Sequence, residues 1–149
     1  MRKFVEPNDF GFVRLADSAR LPEQAYEQAA GFDLFSIEDM VIQPGRRATI
    51  RTGVGVNLPT GFVGWVCSKS GLAAKSGISV LNSPGVIDSD YQGELLAILQ
   101  NEGQYPFAVQ FGDKVAQLVV TQYFGATPKW TTFTHATARG AQGLGSTGK

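Results

Sequence analysis

The sequence has only one cysteine, Cys67, and one histidine, His135, among its 149 residues. A single cysteine excludes an internal disulfide, and so few soft ligands argue against a zinc site. Cys67 ends the apolar run 63–67 with no histidine nearby in sequence, which favours a buried structural thiol over a nucleophile. His135 lies in the polar tract 131–137, where an ordinary exposed histidine is expected.

The chain also lacks an excess of charge of either sign, since 13 basic residues balance 13 acidic ones. A neutral chain has no overall field that would attract DNA, RNA or an anionic membrane, so we expect no direct contact with any of these. No apolar run approaches the ~18 residues of a membrane helix, and the basic start 1–3 has no apolar stretch behind it, unlike a secretory signal. These absences predict a soluble, cytoplasmic protein whose anionic ligands would be held by local charges or a metal ion.

Short β-strand patterns dominate what is present. Glycine, proline, asparagine or aspartate separates most of the apolar segments, as in all-β barrels and sandwiches. No internal repeat or second domain is visible. The predicted strands span residues 10–15, 40–43, 47–51, 53–58, 62–67, 78–81, 94–100, 107–111 and 114–123.

Helix patterns are few. Residues 71–77 could form about two turns, with Ser70 as the N-cap and Gly77 behind the last turn. Residues 23–30 contain alanine, glutamate and glutamine, which favour helix, but a loop with one helical turn is equally consistent with them. We therefore predict an all-β fold with one short helix.

The stretch GVIDSDYQGEL, residues 85–95, is unusual because it places two acids and an aromatic ring at one turn. Apolar residues lead into it and a strand pattern follows it, so it resembles a tight β-hairpin. Asp88, Asp90 and Tyr91 would then lie together at the hairpin tip. Tyr91 could equally be a core aromatic beside a strand.

Three other segments carry polar groups that could bind an anion. Residues 68–73 put two hydroxyls and Lys69 at the N-terminal end of the predicted helix, although Ser70 could be an ordinary N-cap. Gln117 is an amide within an apolar strand, where alternation also allows it to face solvent. Asp33 stands among aromatic residues, either as a turn former or as a polar group with a partner.

The last eleven residues, 139–149, contain four glycines and several hydrogen-bond donors, which include Arg139, Ser146, Thr147 and Lys149. Such a segment cannot pack a core by itself, and we expect it to be mobile. Its backbone N–H groups could approach a phosphate closely. A phosphate-binding arm and a frayed terminus are equally consistent with the segment alone.

Taken together and in chain order, five segments resemble the five motifs of the homotrimeric dUTPase family. The segments are residues 30–34, 68–73, 82–94, 112–118 and 139–148. The resemblance implies a distorted jelly-roll β-barrel over residues 1–136 and a flexible C-terminal arm over 137–149 that closes over the active site. It also implies a homotrimer whose sites combine motifs from different subunits.

The activity implied by the resemblance is hydrolysis of dUTP to dUMP and pyrophosphate, with Mg²⁺ as cofactor. This reaction would limit uracil incorporation into DNA and supply dUMP for dTTP synthesis. Asp88 would be the base that deprotonates the attacking water. Asn82 and the hairpin backbone would pair with uracil, and Tyr91 would pack on the deoxyribose. Asp33 would hold a water molecule of the Mg²⁺ ion.

The remaining residues implied by the resemblance would contact the phosphates and cover the base. Within the chain these are Lys69, Ser70, Gly71 and Gln117. In the C-terminal arm they are Arg139, Leu144, Gly145, Ser146 and Thr147.

The chain departs from the usual family pattern at a few positions. Lys69 replaces a frequent arginine. Lysine keeps the positive charge but cannot form the bidentate hydrogen bonds of a planar guanidinium with phosphate. Leu144 replaces a frequent aromatic residue and cannot stack on uracil. Ser68 replaces a frequent proline, and Gln142 replaces a small residue. We therefore expect weaker phosphate binding and looser closure of the arm.

Two other function classes remain open at this stage. The dCTP deaminases share the barrel, but they usually need a longer chain and a glutamate base. A non-catalytic nucleotide-binding or regulatory relative would explain Lys69 and Leu144. Asp88 with Tyr91 and a complete glycine-rich arm favours the hydrolase over both.

Overall fold

The computed structural model describes residues 10–141, and this part of the chain is mostly β-structure with one short helix. Its elements are β1 Gly11–Arg14, β2 Glu23–Gln24, β3 Gly31–Phe35, β4 Met40–Ile42, β5 Arg47–Arg51, β6 Val54–Asn57, β7 Phe62–Cys67, α1 Ser70–Ser76, β8 Ile78–Val80, β9 Gly85–Ile87, β10 Leu96–Asn101, β11 Phe107–Val109 and β12 Lys114–Gln122. The predicted all-β class with one short helix is confirmed. No helix in this part is long and apolar enough to cross a membrane.

Backbone hydrogen bonds divide these strands among four sheets. The strand orders are β1-β6, β5-β10-β8, β11-β4 and β2-β3-β12-β7-β9. All the pairings are antiparallel. Between residues 10 and 141 this pairing does not close into one continuous barrel.

The core lies between these sheets and is built from aliphatic side chains. Along β10, Ala97 and Leu99 are buried while their neighbours are more exposed, which is the alternation of a strand with one face on the core. β12 lies at the centre of the five-stranded sheet and contributes the buried residues Val115, Ala116 and Leu118. Fully buried core residues include Leu34, Ile50, Leu95, Leu99 and Leu118.

The nine predicted strands are all present, most of them shortened by one or two residues at an end. Three strands were missed, namely β2, β3 and β9. Residues 23–30 form no helix, because Glu23 and Gln24 pair with β3 and turns follow them. β3 carries three consecutive buried residues, including Asp33, and therefore lacks the alternation that identifies a half-buried strand.

The predicted hairpin over residues 85–95 is wrong in its pairing. β9 pairs with β7, whereas β10 pairs with β5 and β8. The segment between β9 and β10 therefore crosses from one sheet to another, and local pattern carries no information about that choice of partner. The helix prediction also needs a correction at its start. Ser70 is the first helical residue, Lys69 occupies the cap position without a side-chain cap, and Gly77 ends the helix at φ 65° as expected.

Candidate active site

Strand register brings three of the predicted motifs into one row across the five-stranded sheet. Asp33 on β3 lies opposite Gln117 on β12. Gln117 in turn lies opposite Cys67, the last residue of β7. Lys69 follows two residues later, in extended conformation at the start of α1. The first, second and fourth motifs therefore meet at one end of β7.

Asp33 is the most buried ionisable group of this row, at 4% exposure. Lys69 Nζ donates to its Oδ1, and Lys114 Nζ donates to its Oδ2 at 2.7 Å. Burial raises the pKa of Asp33, but the hydrogen bonds from Lys114 and Lys69 outweigh burial and leave the pKa below its usual value. The hydrogen bond to Asp33 likewise raises the pKa of Lys114. Both shifts favour the charged forms of Asp33 and Lys114.

Gln117 is half-buried, and its amide is held in place by its neighbours. Its Nε2 donates to the Ser68 carbonyl at 3.0 Å, so it does not simply face solvent. A side chain at Gly31 would overlap the amide, because a Cβ there would lie 3.2 Å from Gln117 Cδ and closer still to Oε1. Ser68 Oγ also accepts from the Val80 N–H at 2.8 Å. These contacts fix the loop before α1 on two sides.

Ser70 and Gly71 form the exposed first turn of α1. A Cβ on Gly71 would contact no atom within 4 Å among the described residues. Packing within the chain therefore does not require glycine at this position. The backbone and the Ser70 hydroxyl both remain accessible from the surface.

A second group of candidate residues surrounds Asp88, which is exposed directly after β9. The Asp88 carbonyl accepts from the Tyr91 N–H at 3.1 Å. The Tyr91 ring is 42% exposed, so it is not a core aromatic, and its hydroxyl donates to the Glu94 carbonyl at 2.9 Å. The ring lies over Gly93, where a Cβ would come within 2.5 Å of Tyr91 Cζ. One tight turn thus carries both an exposed acid and an aromatic ring whose position is fixed.

Glu94 anchors this turn to the rest of the fold, a role that sequence reasoning missed. Its Oε1 accepts from the Gly53 N–H at 2.7 Å and from the Thr52 N–H at 3.1 Å. Its Oε2 accepts from Arg51 Nε at 3.2 Å. The sequence signal for this role is an acid directly before a buried strand. The backbone N–H groups that Glu94 binds, however, lie more than forty residues away in sequence. Asp90 is exposed within the same turn.

Asn82 lies at the other end of β9. A Cβ on Gly85 would lie 3.2 Å from Asn82 Nδ2 and 3.3 Å from Val66 Cβ, so the Asn82 amide covers the start of the strand. Between them, the Ser83–Pro84 peptide bond is cis. Asn82 is therefore closer to the Lys69 end of β7 than Asp88 is.

Register also sets the separation between the two groups. Gly64 pairs with Ile87, so Asp88 follows opposite residue 63, four residues before Cys67. Along the strand direction, the two positions are four residues apart at about 3.3 Å per residue. Across the sheet, β9 and β3 are separated by three strand spacings of about 4.8 Å. Together these two distances put Asp88 roughly 20 Å from Asp33. Within one chain, Asp88 and the row that contains Asp33, Gln117 and Lys69 are therefore not brought together.

The other candidate residues lie outside these groups. Arg139 is exposed and lies in residues 123–141, a segment that follows β12 and contains no strand or helix. The N–H of the next residue, Gly140, donates to the Thr137 carbonyl and forms a turn. Cys67 is half-buried, less than the buried thiol that the sequence predicts, and burial raises its thiol pKa. His135 is exposed as expected. Leu144, Gly145, Ser146 and Thr147 lie outside the described residues.

Comparisons with known proteins point to one family. The dUTPase family model matches residues 17–148. A deoxyuridine 5'-triphosphate nucleotidohydrolase of Clostridium tetani is 42% identical over 135 residues, covering 91% of this chain and 93% of the relative. The enzyme of that name in Mycobacterium avium is 44% identical over 142 residues, covering 91% and 92%.

Solved structures show the same fold. The dUTPase of Staphylococcus bacteriophage 80alpha, in a complex with dUpNHpp, superposes with a TM-score of 0.88 at 28% identity, covering 95% of this chain and 99% of the phage chain. A mutant dUTPase of S. aureus phage phi11, in which a structural Mg(II) ion is coordinated, gives a TM-score of 0.74 at 29% identity, covering 85% and 97%. Family match, relatives and fold agree over nearly the whole chain, and the chain therefore belongs to the dUTPase family.

Proposed function

We propose that this chain hydrolyses dUTP to dUMP and pyrophosphate by attack of water on the α-phosphorus. The observation that carries the proposal is the 88–94 turn, which holds both the exposed Asp88 and the Tyr91 ring fixed against Gly93. Membership of the dUTPase family supplies the substrate class. The product would feed dTTP synthesis, and removal of dUTP would limit uracil in DNA.

Asp88 acts as the general base in this proposal. Its side chain is exposed, so a water molecule can reach the carboxylate and be deprotonated by it. Tyr91 packs on the deoxyribose, where a ribose 2'-hydroxyl would collide with a ring that cannot retreat. Asn82 and the backbone of the 82–94 segment bind uracil.

The row that contains Asp33, Gln117 and Lys69 binds the triphosphate. Lys69 supplies positive charge, while Ser70, the Gly71 N–H and Gln117 supply hydrogen bonds. Hydrogen bonding of Gln117 to Ser68 supports this assignment, because it holds the amide next to the loop that carries Lys69. The C-terminal arm closes over the bound nucleotide through Arg139, Leu144, Gly145, Ser146 and Thr147.

Mg²⁺ fits this donor set only through water. The described residues contain no cluster of three or more acids, histidines or cysteines that could coordinate a metal directly. Each Asp33 oxygen already accepts from a lysine, but a carboxylate keeps further lone pairs that can accept from a metal-bound water. When bound, the ion would neutralise phosphate charge, with its direct ligands drawn mainly from the substrate.

A homotrimer with shared sites is part of the proposal. The roughly 20 Å between Asp88 and Asp33 supports it, because a base so far from the phosphate-binding row needs a second subunit to complete the site. No direct nucleic-acid or membrane partner is proposed, in keeping with the neutral chain. The cytoplasmic location expected from the sequence stays a prediction.

The proposal is tested by measuring pyrophosphate release from dUTP, dCTP, dTTP and UTP in the presence of Mg²⁺. Release from dUTP alone is expected. Release of ammonia from dCTP would indicate a deaminase instead. Tight binding of dUTP without any release would show that the chain is a non-catalytic relative.

Replacing Gly93 with alanine should impair discrimination between dUTP and UTP. The added methyl group would overlap the Tyr91 ring and push it from its place over the backbone. We expect kcat/KM for dUTP to fall about 10-fold or more, with a smaller fall for UTP. Steady-state kinetics on both nucleotides measures the ratio.

Gly61→Ala is a comparison for this variant, because it changes a glycine whose Cβ would meet no neighbour among residues 10–141. Its positive φ of 93° makes it a test of general backbone strain. The two variants should differ in the dUTP to UTP ratio. An unchanged ratio in Gly93→Ala would remove the assigned role of the Tyr91 ring.

A further inference from the structure

The Asp33 triad, consisting of Asp33, Lys69 and Lys114, joins one buried acid to two lysines. The acid is almost inaccessible to solvent, and each of its oxygens accepts from a different ammonium group. Lys114 lies at the start of β12 opposite Phe35, so the β3–β12 pairing places its side chain beside Asp33. Lys114 has no role of its own in the function proposed so far.

The charges of the triad do not cancel. One carboxylate and two ammonium groups leave a net charge of +1. Glu23 approaches Lys114 at 3.5 Å, but it also pairs with Arg20 at 2.9 Å, and its side chain is 45% exposed. The Arg20–Glu23 pair is itself neutral, so the excess positive charge remains with the triad.

Without Lys114, the triad would reduce to a neutral pair. Asp33 would then direct its whole charge at Lys69, and a phosphate would have to compete with a buried carboxylate for the same ammonium. With Lys114 present, the carboxylate is shared between two partners. Asp33 can still restrict the position of the Lys69 ammonium, which is a point charge on a flexible stem.

We propose that Lys114 is a positioning residue for triphosphate binding, which acts through Asp33 to leave Lys69 with net positive charge at a defined place. This inference rests on the proposed function and adds a residue to it. Lys114 need not touch the substrate. Its effect should be confined to the charged part of the nucleotide.

The test is the affinity of the Lys114→Met variant for two ligands, the non-hydrolysable dUpNHpp and the uncharged nucleoside deoxyuridine. We expect Kd for dUpNHpp to rise about 10-fold, as for loss of one nearby positive charge. The inhibition constant of deoxyuridine should stay within about twofold, since it has no phosphate. The difference in dUpNHpp affinity should also shrink at high salt, because screening weakens a charge effect.

Two further variants separate charge from packing. Lys114→Arg keeps the positive charge and should restore most of the dUpNHpp affinity. Lys75→Met removes an exposed lysine from the last turn of α1 and should leave both affinities unchanged. Lys114→Gln, which retains a hydrogen-bond donor toward Asp33, replaces the methionine variant if that protein does not fold.

Equal loss of affinity for dUpNHpp and deoxyuridine would show a merely structural role and overturn the inference. Unchanged affinity for both ligands would overturn it as well. Failure of the proposed function is a separate result, since it would be seen in the wild-type protein as absence of dUTP hydrolysis. Wild-type hydrolysis with an unaffected Lys114→Met variant refutes only the role of Lys114.

Discussion

Replacing Asp88 with asparagine is expected to lower kcat for dUTP hydrolysis by about 10²–10⁴-fold, the range that a general base contributes. Asparagine has nearly the same size but cannot accept the proton of the attacking water. Binding of dUpNHpp should change little, because the variant removes a negative charge that contributes nothing favourable to an anionic ligand. Single-turnover pyrophosphate release and calorimetric binding measure the two effects separately.

Asp90→Asn is the matched control for this variant. Asp90 is also exposed in the same turn, two residues from Asp88, and the change removes the same charge. We expect Asp90→Asn to retain most of the wild-type kcat. If the two variants lost activity equally, the turn would matter only for its overall charge or conformation, and the base would have to be another group.

Mixing two inactive variants should restore activity if each active site combines residues from two subunits. One variant is Asp88→Asn. The other is Lys69→Met, which removes phosphate-binding charge but leaves the buried Asp33 carboxylate paired with Lys114. In co-refolded 1:1 mixtures, about a quarter of the sites should combine an intact Asp88 from one subunit with an intact Lys69 from another, provided the assembly is a closed ring.

Measured activity of about a quarter of the wild-type value would support sites shared between subunits. Each variant refolded alone is the control and should stay inactive. A mixture no more active than its parts would place Asp88 and Lys69 of the same chain in one site, against the roughly 20 Å between Asp88 and Asp33, the acid that Lys69 contacts. Sedimentation of the mixture would report the oligomeric state independently.

Much of the local structure could be predicted from the sequence. The strands from β4 to β8 follow short apolar segments bounded by turn residues, which are properties of neighbouring positions. The end of α1 at Gly77 follows from the left-handed conformation that glycine adopts easily. The order of the five motifs pointed to the family, and the comparisons confirm it.

The sequence by itself therefore determined the fold class and the family, and it predicted the residues that would carry the chemistry. Only the tertiary structure decided which of them meet. β9 and β10 adjoin in sequence yet pair in different sheets, and Glu94 binds backbone more than forty residues away. Lys114 reaches Asp33 because β3 and β12 pair, although 81 positions separate the two residues in sequence. Such contacts depend on strand register and sheet order. Packing of the whole core determines both, and therefore the local sequence pattern does not predict them.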